Sequence, residues 1–168
     1  MTKTKPNINR LILIAGVLAV AAAAAVLTLM PRGGSGAELN LRAAAVTDAD
    51  IVISLRDVTE NARFYPAVID GTQLEIIAVK APDGTVRTAF NTCQSCYGSG
   101  RGYYVQSGGV LVCQNCRNEF TMSQVEVRAG GCNPVPIFAA DKEVSGDSIT
   151  VPVGFLRDSA FIFGNWKA

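Results

Sequence analysis

Four cysteines in the middle of the chain are the side chains best suited to chemistry. Cys93 and Cys96 form one Cys-x-x-Cys pair, and Cys113 and Cys116 form a second. Each pair can wrap a tight turn that directs two sulfurs at one ion, so two pairs at this separation are typical of a tetrathiolate metal site. The spacing favours one metal ion over a cubic cluster, because cluster-binding runs place three cysteines close together.

The segment between the two pairs is predicted to bring them to the same place. Three glycines relax the backbone after the first pair, and residues 103–106 and 110–112 then form the strands of a hairpin across Ser107-Gly108-Gly109. A hairpin places both pairs at one end, which is the layout of a zinc ribbon or a rubredoxin-like knuckle. In such sites four thiolates lie about 2.3 Å from one tetrahedral ion.

A fifth cysteine, Cys132, lies in the segment Gly130-Gly131-Cys132-Asn133-Pro134. It is either a further ligand or redox partner of the centre, held by the two glycines, or a buried small apolar residue. Spacing alone favours neither interpretation. An odd number of cysteines is unusual in an exported protein, which keeps the ligand interpretation open.

The same cysteines also fit chemistry without a metal. Outside the cytosol thiols tend to oxidise, so each pair could close a small disulfide loop or act as a redox-active dithiol. A thioredoxin-like oxidoreductase is disfavoured, since it uses one such pair in a βαβ setting. Arg101 and Arg117 lie near the cysteines in sequence. They either offset the negative charge of four thiolates or are solvated surface residues.

The composition excludes several classes of protein. The chain has no histidine, so Ser-His and Cys-His nucleophile pairs, His-ligated zinc hydrolases, Rieske centres, type-1 copper sites and His-ligated haem all lack an essential group. Residues 33–168 carry 11 basic and 14 acidic side chains, and this balance argues against nucleic-acid binding, which needs a basic surface. No pair of residues has a spacing that indicates acid-base catalysis. We therefore expect a redox or metal-binding protein rather than an enzyme.

The N-terminal region is predicted to anchor the chain in a membrane. Residues 1–10 are a polar basic tail, and the 20 residues 11–30 contain no charge. At about 1.5 Å rise per residue such a helix spans the roughly 30 Å hydrocarbon core of a bilayer. A cleaved signal peptide is the alternative, but its apolar region is shorter, at about 7 to 15 residues. The basic flank stays cytoplasmic, so we expect a single pass through a bacterial cytoplasmic membrane with the C-terminal part extracytoplasmic.

The rest of the chain is predicted to form a tether and one domain. Residues 31–47 contain glycine and serine near their start and are predicted to form a flexible linker. Residues 48–168 have the length of one small extracytoplasmic domain that binds the metal. The predicted fold class is mainly β, with a transmembrane helix followed by an antiparallel β domain that contains the four-cysteine hairpin.

Short alternations of apolar residues support this fold class. Residues 48–90 contain several of them, separated by turn signals, and residues 122–127 and 149–153 contain further ones. The tail from Phe155 to Trp166 is rich in aromatic residues, which we expect to close the core. No long segment with helical periodicity follows the predicted anchor.

A longer pattern surrounds the cysteines: Ala89-Phe90-Asn91-Thr92-Cys93-x-x-Cys96-Tyr97, then Gly102-Tyr103, then Leu111-Val112-Cys113-x-x-Cys116, and then Gly130-Gly131-Cys132-Asn133-Pro134. This pattern resembles the FtrD-like membrane iron-sulfur-containing domain family, a domain of unknown function linked to bacterial ferrous-iron uptake. The resemblance covers roughly residues 50–166.

The resemblance implies an exported, membrane-tethered protein that binds iron or an iron-sulfur centre. The positions that match the family are Cys93, Cys96, Cys113, Cys116 and Cys132. Its implied partners are an iron permease or a redox protein, and its implied function is electron transfer or iron uptake. The residues themselves leave two alternatives open: a structural zinc ribbon that stabilises a binding module, and a dithiol-disulfide protein that handles copper or protein thiols.

Overall fold

The computed structural model describes residues 42–168, which form a mainly β domain. The predicted basic tail (residues 1–10), the predicted transmembrane anchor (residues 11–30) and most of the predicted tether (residues 31–47) lie outside the described residues. No helix within the described part has the length and apolar character needed to cross a membrane. The anchor therefore stays a prediction.

The described residues contain eleven strands, one α-helix and five short 3₁₀ turns. The strands are β1 (Val46–Thr47), β2 (Ile51–Ser54), β3 (Arg63–Ile69), β4 (Thr72–Lys80), β5 (Val86–Cys93), β6 (Tyr104–Ser107), β7 (Val110–Cys113), β8 (Glu119–Thr121), β9 (Pro134–Pro136), β10 (Glu143–Ser145) and β11 (Ser148–Val151). The helix α1 spans Val153–Ser159, and the 3₁₀ turns span Leu55–Asp57, Tyr97–Ser99, Met122–Gln124, Ala139–Asp141 and Ala160–Phe163.

A five-stranded sheet in the order β1-β3-β4-β5-β9 forms the centre of the domain. Its strand pairs are antiparallel except for β1 and β3, which are parallel. The predicted antiparallel sheet is therefore confirmed for all but one edge strand. Strand β1 pairs Val46 with Ala67 and Thr47 with Val68, so the last residues of the predicted tether belong to the sheet.

Strand β4 has an almost continuous run of apolar residues, and both of its faces are buried. Leu74, Ile76 and Ala78 pack in a first core with the sheet β10-β11-β2 and the C-terminal segment. Ile77 and Val79 pack in a second core, which holds the cysteine hairpin of the sheet β6-β7-β8. A strand covered on both faces is apolar at nearly every position. The central sheet therefore lies between two layers, one of which carries the cysteines.

Aromatic residues of the tail close the first core. The ring of Phe90 stacks on Phe155 and meets Phe163 edge-on, with ring centroids 5.6 Å apart in both pairs. The prediction that the tail closes the core is confirmed for Phe155 and Phe163. It is wrong for Phe161, whose side chain is 73% exposed, because the neighbouring Ile162 and Phe163 occupy the buried side of the 3₁₀ turn.

Residues 122–127 do not form the predicted strand. Strand β8 ends at Thr121, and a 3₁₀ turn follows directly. The Gln124 side-chain oxygen accepts the Thr121 backbone N–H at 2.8 Å, and such local bonds compete with a strand ladder. Glu126 has a φ of 61°, which the extended conformation does not allow. The apolar alternation in this segment therefore belongs to a turn, in which Met122 and Val125 are buried.

We expect Phe90→Ala to lower the free energy of unfolding by about 3–5 kcal/mol, because it removes a large buried ring from between two others. Urea unfolding of the reduced, metal-free chain, followed by the fluorescence of its single tryptophan, measures the change. Phe161→Ala is the matched control, since it truncates an exposed ring of the same size, and its effect should stay within about 0.5 kcal/mol. Equal losses from the two variants would contradict the described core.

Candidate metal centre

Strand β5 positions the first cysteine pair. Cys93 is the last residue of the strand, and the chain turns there so that the backbone N–H of Cys96 donates to the Cys93 carbonyl at 3.1 Å. The Gly102 carbonyl accepts the Cys93 N–H at 2.6 Å. The first two sulfurs are therefore held by the central sheet and by the segment that returns toward it.

Strand β7 positions the second pair in the same way. Cys113 is its last residue, and the Arg117 N–H donates to the Cys113 carbonyl at 3.0 Å. Arg117 closes this turn with a φ of 65°, a conformation that is uncommon for residues other than glycine. The predicted hairpin is confirmed, because β6 pairs with β7 in a register that places Tyr104 opposite Cys113.

The sulfurs of Cys93, Cys96, Cys113 and Cys116 all lie within 4.8 Å of one another. A tetrahedral ion with metal–sulfur distances near 2.3 Å holds its ligands about 3.8 Å apart, so small side-chain adjustments bring these sulfurs onto one ion. A cubic cluster places its own iron and sulfide atoms between the cysteine sulfurs and holds them farther apart. The donor set therefore fits one ion that prefers sulfur ligands, such as iron or zinc.

Burial distinguishes the four thiols. Cys93 and Cys113 are fully buried, whereas Cys96 lies at the edge of the core and Cys116 is half-buried. Burial raises the pKa of Cys93 to about 12, and it also raises the pKa of Cys113. At Cys96 burial acts in the same direction, but hydrogen bonds from Asn115 and the other thiols outweigh it and lower the pKa. A bound cation favours the thiolate form of all four, so metal binding releases protons.

Cys132 lies beside the cluster. Among the described residues, the group of sulfurs within 4.8 Å does not include that of Cys132, although its side chain packs against the same core. Its backbone carbonyl accepts hydrogen bonds from the Cys93 thiol, at 3.5 Å, and from the Tyr104 hydroxyl. The ligand role of the Cys132 sulfur stays a prediction, while its carbonyl contacts a residue of the cluster directly.

Arg101 and Arg117 are both exposed. The guanidinium of Arg117 donates to the Gln114 side chain at 3.2 Å, and the Arg101 backbone N–H donates to the Ser99 hydroxyl at 3.1 Å. The exposure of both side chains favours the interpretation of the two arginines as solvated surface residues.

Tyr104 and Asn91, for which the sequence predicts no role, support the cluster from its buried side. Tyr104 is 1% exposed, and its hydroxyl lies within hydrogen-bonding reach of the Cys93 sulfur. Burial raises the pKa of Tyr104, so the hydroxyl keeps its proton at neutral pH. Asn91 accepts the Tyr104 N–H through its side chain and the Trp166 indole N–H through its carbonyl, both at 2.7 Å. Asn91, Tyr104 and Trp166 are brought together by the tertiary fold, and no local sequence pattern indicates that they meet.

A buried carboxylate lies behind Asn91. Glu75 is fully buried and accepts the Asn91 side-chain N–H at 2.8 Å. Arg42 and Lys167 form ion pairs with it at 2.9 and 3.3 Å. Burial lowers the pKa of Lys167, and the charge of Glu75 opposes that shift. The one sequence signal for this network is a single acidic residue within the apolar run of β4.

The sheet and its converging sulfurs characterise a small β domain that is arranged to bind a metal ion through cysteine. The family described as membrane iron-sulfur containing protein FtrD-like matches residues 58–163, which include all five cysteines. This match covers more than half of the chain, so the protein belongs to the FtrD-like family, and the resemblance found in the cysteine pattern is confirmed. No curated protein and no solved structure matches the chain.

We expect Gly102→Ala to weaken Zn²⁺ binding by about tenfold or more, in the range found for groups that orient metal ligands. A Cβ at Gly102 would lie 2.4 Å from the Cys96 carbonyl oxygen, so the first cysteine turn must move. Competition with a chelator of known affinity measures the change. Gly109→Ala, in the hairpin turn, is the matched control, because a Cβ there meets nothing within 4 Å. Equal affinities of the two variants would contradict the close approach at Gly102.

Proposed function

We propose that this protein is a membrane-anchored, extracytoplasmic iron protein that transfers electrons in a metal-uptake system. The convergence of four cysteine sulfurs within 4.8 Å carries the proposal. Membership of a family described as membrane iron-sulfur containing supports iron as the metal. The uncharged stretch of residues 11–30 supports the anchor.

The surroundings of the sulfurs suit electron transfer. Iron held by four thiolates can change its charge by one unit, and a site with fixed ligands keeps the accompanying rearrangement small. Cys93 and Cys113 each end a paired strand, so the backbone ladder restricts their movement. Cys116 is half-buried and offers a short route between the buried sulfurs and a docked protein.

The proposed partner is an iron permease or a redox protein of the same uptake system. A single-pass anchor in a bacterial cytoplasmic membrane would hold the domain on the extracytoplasmic side, close to a permease. The acidic balance of residues 33–168 gives no reason to include nucleic acid among the partners.

A structural zinc site is the second candidate, and the burial of the ligands favours it. Cys93 and Cys113 are fully buried, and four protein thiolates leave no open position on a tetrahedral ion. Such an ion would crosslink the β6-β7 hairpin to the central sheet and stabilise the second core. The domain would then serve as a binding module.

Metal analysis and the visible spectrum of the purified full chain separate these functions. The electron-transfer proposal expects about one iron per chain and a visible absorption that bleaches on reduction. A colourless protein with about one zinc per chain would replace it with the structural function. A metal-free protein that contains disulfides would instead support a function in copper or thiol chemistry.

We expect Cys113→Ser to lose most of the bound metal, because it replaces a thiolate of the four-sulfur group by a poor ligand. Cys132→Ser should retain the metal content of the wild-type chain, since the Cys132 sulfur lies outside that group. Elemental analysis of both variants after identical purification measures the difference. Loss of metal from Cys132→Ser would show that the fifth cysteine is a ligand.

A further inference from the structure

The hydroxyl of Tyr104 lies between two acceptors on the buried side of the cysteine cluster. It donates to the Cys132 carbonyl and is within hydrogen-bonding reach of the Cys93 sulfur. The Cys93 thiol donates to the same carbonyl at 3.5 Å. The Cys132 carbonyl therefore accepts hydrogen bonds from both the Tyr104 hydroxyl and the Cys93 thiol. The Tyr104 hydroxyl can also turn toward the Cys93 sulfur.

We propose that Tyr104 is a positioning residue whose hydroxyl donates to the Cys93 sulfur when the cluster holds a metal ion. The inference rests on the metal binding proposed above. A metal-bound cysteine sulfur has no S–H proton and carries negative charge, and charged acceptors form stronger hydrogen bonds than a neutral carbonyl does. Rotation about the phenol C–O bond is sufficient to change the acceptor. The hydrogen bond withdraws charge from the sulfur and stabilises the metal-loaded cluster.

The ring of Tyr104 is held firmly enough for one hydroxyl to have this effect. The ring meets Phe120 edge-on at a centroid distance of 5.8 Å, and the Tyr104 backbone N–H donates to Asn91 at 2.7 Å. Strand pairing opposite Cys113 fixes the backbone as well. Phenylalanine has the same ring, so Tyr104→Phe removes the hydroxyl without removing these contacts.

The loop that contains Cys132 has other attachments to the cluster. The Ser95 hydroxyl donates to the Gly131 carbonyl at 2.7 Å, and the Gly130 N–H donates to the Gln94 side chain. Both attachments join the loop to the first cysteine turn without involving Tyr104. Loss of the tyrosine hydroxyl therefore acts on the sulfur more than on the position of the loop.

Cobalt substitution tests the proposal, whichever metal the protein carries in the cell. The full chain and its Tyr104→Phe variant are stripped of metal, loaded with Co²⁺ alone and compared by absorption spectroscopy. A hydrogen bond lowers the energy of the sulfur lone pairs, so its loss should move the sulfur-to-cobalt charge-transfer band to longer wavelength. The Co²⁺ affinity should fall about tenfold, at the low end of the range for groups that support a ligand.

Tyr65→Phe is the matched control. Tyr65 is 6% exposed and belongs to the first core, and its hydroxyl has no hydrogen-bond partner within the described part of the chain. This variant therefore removes a buried hydroxyl away from the cysteines, and its band and affinity should equal those of the wild type. A shift of the same size in both variants would overturn the proposal, because it would reflect a general change in packing.

The remaining outcomes are also decisive. If the charge-transfer band and the Co²⁺ affinity of Tyr104→Phe equal those of the wild type, this inference is overturned and the metal site stands. If the wild-type chain binds no Co²⁺, the proposed function is overturned, and this inference with it. If Tyr104→Phe does not fold, 3-fluorotyrosine at position 104 replaces it. Its more acidic hydroxyl is a stronger donor and should move the band to shorter wavelength, and an unmoved band would overturn the inference.

Discussion

Strand β5 must be buried on both of its faces, and the arrangement of the other layers follows from this requirement. Every residue from Thr88 to Cys93 is buried, so a separate core has to cover each side. Phe90 packs in the first core, whereas Ala89 and Cys93 pack in the second. Because Cys93 ends the strand, the packing that stabilises the sheet also sets the position of a sulfur. Stability of the fold and geometry of the site are therefore coupled in one element.

A tetrathiolate site in such a place carries an electrostatic cost. Four thiolates and a divalent cation have a net charge of about −2, and a buried charge needs hydrogen bonds or an opposite charge. Donors close to the sulfurs can meet this need, among them the Asn115 side chain and, in the proposed metal-loaded state, the Tyr104 hydroxyl. The fully buried carboxylate of Glu75 has cations of its own in Arg42 and Lys167. The centre is therefore not required to share its donors with a second charge.

The family and the sulfur geometry bear on different questions. The FtrD-like family is described as membrane iron-sulfur containing, which concerns the element and the location. Sulfurs within 4.8 Å of one another concern the number of metal ions, and they fit one. The proposed single iron with four cysteine ligands agrees with both, since it is one ion and its iron is bound by sulfur.

Local sequence was sufficient to identify the four converging cysteines, the hairpin between them and the mainly β class, because Cys-x-x-Cys spacing, turn glycines and period-two alternation act over a few residues. It was not sufficient for residues 122–127 or for Phe161, since local alternation does not tell which side of a turn or tail meets the core. The surroundings of the sulfurs came only from three-dimensional packing. Tyr104 and the Cys132 carbonyl reach Cys93 through the pairing of segments that are distant along the chain. A register of that kind depends on the fit of whole layers, and no local pattern of residues records it.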